Sequence, residues 1–240
     1  ALLASSAQSG CGTPEQAAAA GRGLAQLMAF LDRVIARHHQ QPADNIISTL
    51  VTLEGDGMLT REELRNFCAL LLIAGHETTA NLIGSGAQIL ACDPALVERL
   101  RNNPSLMPRF VEELVRFAPP LQRVVRRATR AVTIAGVEVP ANALLMLLPG
   151  SANRDASHWA SADAFDAGRR SSQNLGFGAG IHYCLGAPLA RLELATAFTV
   201  LLARVRAIAP DPDRAAVPIR YYASGTLGFE SLPLVLTRGG

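Results

Sequence analysis

The sequence lacks a large excess of charge of either sign and contains few aromatic residues. Its 22 Lys and Arg residues nearly balance 20 Asp and Glu residues, so the net charge of +2 is too weak to attract nucleic acid or an anionic membrane. A small organic molecule is therefore the expected partner, with no nucleic acid and no membrane. Aromatic residues make up only 5%, but the 49% hydrophobic content excludes a disordered chain and supplies one large core.

The sequence also lacks paired cysteines and long apolar runs. Cys11, Cys68, Cys92 and Cys184 form no C-x-x-C pair, which argues against a disulfide framework and against a structural zinc site. This cysteine usage is typical of a reducing, cytoplasmic location. No uninterrupted apolar run approaches the roughly 20 residues that cross a bilayer, and the first residues lack the basic flank of a signal peptide. We therefore expect a soluble protein.

Apolar spacing and capping signals predict a mainly helical chain with small β-sheets, an α+β fold. Apolar residues recur three and four positions apart in most segments, while β-prone runs broken by Gly136 and Pro140 predict hairpins. The predicted helices are Ala17–Arg37, Asp44–Thr52, Arg61–Cys92, Pro94–Asn102, Met107–Phe117 and Ala187–Val205. The predicted strands are Val124–Ala128, Val132–Ile134, Val137–Val139, Leu144–Leu148 and a pair within Phe229–Thr237.

The longest predicted helix begins at a capping box and has a polar interruption near its middle. Thr60 followed by Glu63 is the capping signal. About thirty residues at 1.5 Å each would give a helix of about 45 Å, long enough to be a buried spine. The stretch Leu70–Ala74 is apolar all round and is expected to be buried, yet Gly75–Thr79 follows it with polar groups. Polar groups in a buried helix indicate a function, because burying them is costly.

A lone cysteine lies in a glycine-rich segment just before a predicted helix. The segment Phe177–Gly186 reads FGAGIHYCLG and precedes the helix that begins at Ala187. Helix N-terminal amides favour a thiolate, and glycines let the backbone approach a bound group. Cys184 is therefore a candidate metal ligand. The alternative is a buried structural cysteine.

The same ten residues carry a resemblance to the cytochrome P450 family. They match the haem-binding pattern Phe-x-x-Gly-x-His-x-Cys-x-Gly, and Leu189-Ala190-Arg191 continues it. The resemblance implies that Cys184 is the axial thiolate ligand of the iron of haem b, and that His182 contacts a haem propionate. Phe177 and Gly178 would be further haem-binding residues.

The polar interruption in the long helix resembles the oxygen-activation motif of that family. Ala74-Gly75-His76-Glu77-Thr78-Thr79 would pass over the haem, with Ala74 against it and His76 pointing outward. Reducing dioxygen requires protons, which an acid and a hydroxyl in an otherwise dry pocket can deliver. The resemblance implies that Glu77 would supply protons and that Thr78 would position the bound oxygen species and a water molecule. The alternative is that Thr78 only bonds the carbonyl one helical turn back.

A third motif lies between these two in the sequence. Glu113-Leu114-Val115-Arg116 places an acid and a base on one helix face. By itself such a pair carries little information, but its order and context resemble the family's Glu-x-x-Arg motif, which an arginine after Phe165-Asp166 completes. Arg169 fits that place. The resemblance assigns these three residues a structural role, locking the irregular segment that presents the cysteine loop.

Weaker assignments complete the expected pocket. Arg126 resembles the arginine that binds the second haem propionate, with Arg123 and Arg127 as rivals. Leu70, Ala74 and Val124 would face the substrate, and the turn Ser224–Leu227 would close the pocket.

The resemblance implies a haem-thiolate monooxygenase of the bacterial soluble type. It would insert one oxygen atom from dioxygen into a small organic substrate, with electrons from a ferredoxin and its reductase. Arg169, Arg170 and Arg191 would steer this acidic partner. Two alternatives remain: a haem-thiolate peroxygenase, isomerase or dehydratase, and a scaffold module without a working pocket.

The resemblance covers nearly the whole chain but only part of the family fold. Residues 1–240 correspond to roughly the C-terminal three-fifths of it, a single partial domain with the cysteine loop at 175–186, and a unit of ordinary domain size is missing. A fragment, a natural truncation and completion by a second chain would each explain this. If the rest were absent, the helix around Leu70–Ile73 would expose apolar side chains.

Overall fold

The computed structural model describes residues 14–170, 173–214 and 226–238. Residues 1–13 of the expected entry loop, and Ser224 and Gly225 of the expected closing turn, lie outside the described residues. The helices are α1 (Pro14–Gln40), α2 (Ile46–Gly55), α3 (Arg61–Cys92), α4 (Pro94–Asn102), α5 (Met107–Phe117), α6 (Pro149–Ala152) and α7 (Ala187–Arg204). Short 3₁₀ turns occupy Pro104–Leu106 and Gly180–His182.

The described strands form antiparallel pairs. They are β1 (Val124–Arg127), β2 (Val132–Ile134), β3 (Val137–Val139), β4 (Leu144–Leu147), β5 (Val205–Pro210) and β6 (Leu234–Arg238). β1 pairs with β4 so that Val124 faces Leu147, and the β2–β3 hairpin lies between them in sequence. β5 pairs with β6, with Ile208 opposite Leu236.

Two expected boundaries in the C-terminal region were wrong. The predicted strand pair within Phe229–Thr237 is one strand, β6, and its partner is β5, which follows directly on α7. The predicted helix to Val205 ends at Arg204, because Val205 already has extended backbone angles. The run Val205–Pro210 is short and gives only a weak alternating apolar signal. The helical periodicity of α7 directly before it therefore hides the start of the strand in the sequence pattern.

The described residues group into two compact units that divide within α3, between Glu77 and Thr78. The core of the first unit consists of buried apolar side chains from α1, α2 and the first half of α3: Leu31, Ile35, Leu50, Leu64, Cys68 and Ala69. The capping box holds the start of α3, because the Thr60 amide and hydroxyl both donate to the Glu63 carboxylate at 2.8 Å. The expectation of one domain over residues 1–240 stays a prediction.

The core of the second unit surrounds the aromatic side chain of Phe110 on α5. Its ring meets the rings of Phe165 and Phe198 edge to face, with centroids 5.6 and 5.1 Å apart. Gly86 of α3 lies against Phe198 so closely that an added Cβ would be 2.3 Å from the ring. The second half of α3, α5 and α7 are therefore packed together around Phe110.

The apolar middle of α3 is more exposed than the sequence suggested. Leu70 is 59% exposed and Leu72 49% exposed, and Ala74 is also exposed, so the expectation that Leu70–Ala74 is buried was wrong. Within the part of the chain that the structure describes, no element covers this side of the helix. An 18-residue window of α3 has a mean hydropathy of 1.2, so by length and composition alone α3 could cross a membrane, which is weak evidence for a membrane span.

Candidate active site

The cysteine loop folds as a tight hairpin at the start of α7. The Cys184 amide donates to the Phe177 carbonyl at 2.9 Å, and the Tyr183 amide donates to the Gly180 carbonyl at 3.0 Å. Gly178 and Gly180 take φ values of +75° and +68°, which glycine adopts without strain. The thiol of Cys184 is free and half-buried, just before the first residue of α7. The loop therefore presents one thiol at a helix N-terminus.

A second glycine seats this loop on α5. A Cβ added to Gly176 would lie 2.4 Å from Cγ1 of Val115 and 2.6 Å from the Val115 carbonyl oxygen. The loop backbone thus contacts the helix that carries the Glu-x-x-Arg residues. Any larger side chain at this position would force the loop away from α5.

The Glu113, Arg116 and Arg169 side chains meet in one buried network. Arg116 pairs with both carboxylate oxygens of Glu113 at 2.8 Å, and neither side chain is exposed. The Nε of Arg169 donates to Oε1 of the same carboxylate at 3.1 Å, so one acid receives two guanidinium groups. Such a buried pair is stable only when its remaining donors are also satisfied.

The remaining donors of both arginines bond main-chain carbonyls of the irregular segment after α6. Arg116 donates to the carbonyls of Asn153, Ala162 and Ala164 at 2.7 to 3.1 Å. Arg169 donates to the carbonyls of Ala160, Ser161 and Ala164. The network therefore replaces the hydrogen bonds that regular secondary structure would otherwise provide in this segment.

Asn153 extends the network to the cysteine loop. Its carbonyl accepts from Arg116, while its side-chain oxygen accepts from the Leu175 amide at 2.7 Å, where the cysteine loop begins. Asn153 is 1% exposed. Sequence reasoning missed this residue, because a single asparagine in a polar, irregular stretch has no periodic signal. Its buried side chain joins the Arg116 network to the loop that carries Cys184.

A second cluster of polar side chains contacts the cysteine loop through Tyr183. Arg191 of α7 pairs with Glu112 of α5 and also donates to the Tyr183 hydroxyl. The Glu112 carboxylate raises the pKa of Arg191 above its ordinary value. Sequence reasoning also missed Glu112 and Tyr183.

Two of the three arginines expected to steer an acidic partner are engaged within the chain. The guanidinium groups of Arg169 and Arg191 bond to Glu113 and Glu112, and the Arg169 side chain is only 14% exposed. Glu112 offsets the charge of Arg191, whereas Glu113 is shared by Arg116 and Arg169 and offsets only one of these two cations. That these arginines steer an acidic partner stays a prediction. Arg170 is exposed.

The residues expected to handle protons lie next to each other on α3. The side chains of Glu77 and Thr78 are both half-buried, and that of Thr79 is buried. His76 is exposed, as its expected outward direction requires. Glu77 falls in the first compact unit with Leu70 and Ala74, and Thr78 falls in the second.

The expected propionate arginine lies on β1. Arg126 and Val124 share one face of this strand, because side chains alternate along it. Arg126 is exposed and donates to the Val125 carbonyl at 2.9 Å, whereas Arg127 is directed to the opposite face and donates to the Asn142 carbonyl at 3.2 Å. Of Arg126 and Arg127, only Arg126 shares a face of the strand with Val124, the expected pocket residue. His182, on the cysteine loop, is also exposed.

The described part of the expected closing turn is attached to the segment after α5. Thr226 forms an isolated antiparallel bridge with Leu121, and the Leu227 amide donates to the Pro120 carbonyl at 2.7 Å. Val124, an expected pocket residue, follows Leu121 closely and is half-buried. These contacts place the described part of the turn close to the start of β1.

Comparison with known proteins identifies the family. Residues 17–219 match the Cytochrome P450 family model. This chain belongs to the cytochrome P450 family. It is 40% identical over 209 residues to a cyclomarin C epoxidase of Salinispora arenicola, covering 86% of this chain and 52% of that protein. It is 38% identical over 215 residues to an erythromycin C-12 hydroxylase of Saccharopolyspora erythraea, covering 88% and 54%.

Solved structures show the same P450 fold. P450BioI in complex with an acyl carrier protein that carries hexadec-9Z-enoic acid aligns with a TM-score of 0.88 at 35% identity, over 98% of this chain and 60% of that chain. The tirandamycin C-bound monooxygenase TamI aligns with a TM-score of 0.88 at 35% identity, over 98% and 58%. The chain thus spans a little more than half the length of these curated relatives. Its fold is the P450 fold, mainly helical with small sheets.

P450 proteins bind haem b, and the cysteine loop of this chain fits that group. The Cys184 thiol is free and half-buried. The loop leaves the apolar side chains of Ile181 and Leu185 97% and 74% exposed. A free thiol beside uncovered apolar side chains suits a flat, largely apolar ligand with a metal at its centre.

Proposed function

We propose that this chain is the haem-binding part of a monooxygenase that inserts one oxygen atom from dioxygen into a small organic substrate. The observation that carries the proposal is the free, half-buried Cys184 at the N-terminus of α7, in a loop attached to the buried Glu113 network. The wider proposal is that residues 1–240 are one partial P450 domain.

In this proposal the cysteine loop binds haem b, which would supply a redox-active iron and its dioxygen chemistry. Cys184 would bind the iron, with Phe177 and Gly178 forming the loop around it. Arg126 and His182 would bind the two propionates, for which exposed cationic or hydrogen-bonding side chains are suited. Glu113, Arg116 and Arg169 would hold the loop at a fixed position through Asn153.

Glu77 and Thr78 would deliver protons to the reacting oxygen. The half-buried carboxyl of Glu77 can exchange a proton with solvent, and the Thr78 hydroxyl can pass one on as both donor and acceptor. Leu70, Ala74 and Val124 would exclude water on the substrate side. A dry pocket with one acid and one hydroxyl limits proton delivery to a defined path.

The substrate class and partners are also proposals. The relatives include an epoxidase named for cyclomarin C and a hydroxylase named for erythromycin, which supports a substrate from secondary metabolism. We propose a soluble ferredoxin and its reductase as the electron source, and the cytoplasm as the location.

The proton-delivery assignment can be tested with two variants at one position. In the haem-loaded protein supplied with electrons and dioxygen, Thr78→Ala should release most of the consumed electrons as peroxide. Thr78→Ser keeps the hydroxyl and should retain the coupling of the natural residue. Peroxide release that is equal in both variants would contradict the assignment of Thr78.

The same experiment separates the proposal from a peroxygenase or an isomerase. Such an enzyme needs no protons for dioxygen, so Thr78→Ala should leave its turnover nearly unchanged. The presence of both Glu77 and Thr78 favours the monooxygenase.

A further inference from the structure

The cluster around Arg191 joins three separate parts of the second compact unit. Arg191 lies in the second turn of α7, Glu112 lies on α5, and Phe177 and Tyr183 lie on the cysteine loop. The Arg191 Nε and Nη2 donate to the two carboxylate oxygens of Glu112, the latter at 3.3 Å. This two-point pairing fixes the plane of the guanidinium group.

The same guanidinium contacts both limbs of the cysteine hairpin. Its Nη1 and Nη2 each lie 3.2 Å from the Tyr183 hydroxyl oxygen, which accepts from them. Its Cζ lies 4.5 Å from the centroid of the Phe177 ring, a cation–π contact. Tyr183 directly precedes Cys184, and the Phe177 carbonyl accepts the Cys184 amide at 2.9 Å. The Arg191 side chain therefore contacts Phe177 on one limb of the hairpin and Tyr183, the residue before Cys184, on the other.

Glu112 also reaches the beginning of the loop. Its Oε2 lies 3.4 Å from Nδ2 of Asn174, whose side-chain oxygen accepts the Gly176 amide at 2.9 Å. Glu112 is thus a common anchor for Arg191 on one side and for the loop entrance on the other. The carboxylate raises the pKa of Arg191, because the cation is stabilised by its partner.

We propose that Arg191 is a positioning residue that clamps both limbs of the cysteine loop onto α5 through Glu112, Tyr183 and Phe177. The clamp fixes the accessibility and direction of the Cys184 thiol. Its importance for catalysis rests on the proposed function, in which this thiol binds the haem iron. The clamp itself is a property of the protein without haem and can be tested there.

The direct test is the alkylation rate of Cys184 by iodoacetamide in the full chain without haem, followed site by site by mass spectrometry. Arg191→Ala should raise this rate about five- to tenfold, because a charge-assisted, partly buried interaction no longer opposes local opening of the loop. The exposed Cys92 is an internal reference and should keep its rate. Arg204→Ala, an exposed position at the end of the same helix, is the matched control and should change neither rate.

Two conservative variants distinguish a clamp from a surface charge. Lysine keeps the charge but cannot bond Glu112 at two points while contacting Tyr183 and Phe177, so Arg191→Lys should behave like Arg191→Ala. Tyr183→Phe removes one hydroxyl only and should raise the rate about twofold, which provides a test if Arg191→Ala does not fold. A Cys184 rate unchanged in the folded Arg191→Lys and Tyr183→Phe variants would overturn the proposal.

A haem-loaded measurement connects the clamp to the metal. In the reduced protein with carbon monoxide, loss of the clamp should decrease the fraction with a strongly red-shifted Soret band, because that band reports an intact thiolate ligand. If the unaltered protein binds no haem, the proposed function fails while the alkylation test still decides the clamp. An unchanged fraction in Arg191→Ala with haem bound would contradict the link between clamp and ligand.

Discussion

Replacing Arg116 by alanine tests the structural network behind the cysteine loop. Arg116 makes two bonds to Glu113 and three to main-chain carbonyls, and both side chains of the pair are fully buried. Removing one partner of a buried ion pair costs about 3–5 kcal/mol, and the lower end applies here because Arg169 would remain bonded to the Glu113 carboxylate at 3.1 Å. The Asn153 and Ala162 carbonyls lose their arginine donor at about 1–3 kcal/mol each, whereas the Ala164 carbonyl still accepts from Arg169. The sum approaches the whole stability of an ordinary domain, about 5–15 kcal/mol.

The only tryptophan in the sequence provides a local assay for this loss. Trp159 is 8% exposed, and its ring centroid lies 5.5 Å from Cζ of Arg116. Its fluorescence during urea unfolding therefore follows the network directly. We expect Arg116→Ala to lower the free energy of unfolding of this segment by at least about 3 kcal/mol. Without urea, the fluorescence of Trp159 in this variant should already resemble that of a solvent-exposed tryptophan.

Matched variants separate the buried pair from ordinary surface charge. Arg154 lies in the same segment, pairs with the exposed Asp163 and stacks on Phe117, so Arg154→Ala should cost only about 1 kcal/mol. Combining Glu113→Gln with Arg116→Met removes both charges, and the double variant should cost less than the sum of the single variants. A loss below about 1 kcal/mol for Arg116→Ala would refute the reasoning.

Three further changes have defined outcomes. Gly86→Ala should lower the free energy of unfolding by about 1–3 kcal/mol in urea titrations, because the new methyl group overlaps an aromatic ring of α7. Gly176→Ala should weaken haem binding in absorbance titrations, since its Cβ would overlap Val115 and move the loop from α5; unchanged affinity would contradict this. The Thr60 amide, and after it the Thr60 hydroxyl, lower the pKa of Glu63, so stability from this capping box is present above the ordinary carboxyl pKa and decreases as the pH falls through the lowered value. Glu63→Gln removes the titrating carboxyl and should therefore make the loss of helicity in acid shallower in circular dichroism, and an unchanged slope would contradict the coupling.

Much of the helical framework could be predicted, because its ends carry local chemical signals. The Thr60 capping box and the prolines at Pro94 and Pro119 mark starts and stops that do not depend on tertiary contacts. The predicted bounds of α3, α4 and α5 match the structure. In contrast, β5 forms a strand because it pairs with β6, which is distant in sequence, and no local sequence pattern predicts that pairing.

The candidate site could be predicted only in part, for a similar reason. Glu113, Arg116 and Arg169 are found from a motif, and the structure places their side chains in one network. Asn153 and Glu112 were missed, because their importance depends on which backbone groups the fold brings to them. The sequence predicts burial of Leu70 and Leu72 only when another element covers them, and exposure when none does; in the described residues they are exposed.

The central claim is that Cys184 binds the iron of a haem group. The most direct test is the absorption spectrum of the haem-reconstituted protein, reduced and exposed to carbon monoxide, measured beside Cys184→Ala and a Cys92→Ala control. If Cys184 binds the iron, the unaltered protein and Cys92→Ala show a strongly red-shifted Soret band, and Cys184→Ala lacks it. A red-shifted band that survives in Cys184→Ala, or a protein that cannot take up haem, would contradict the claim.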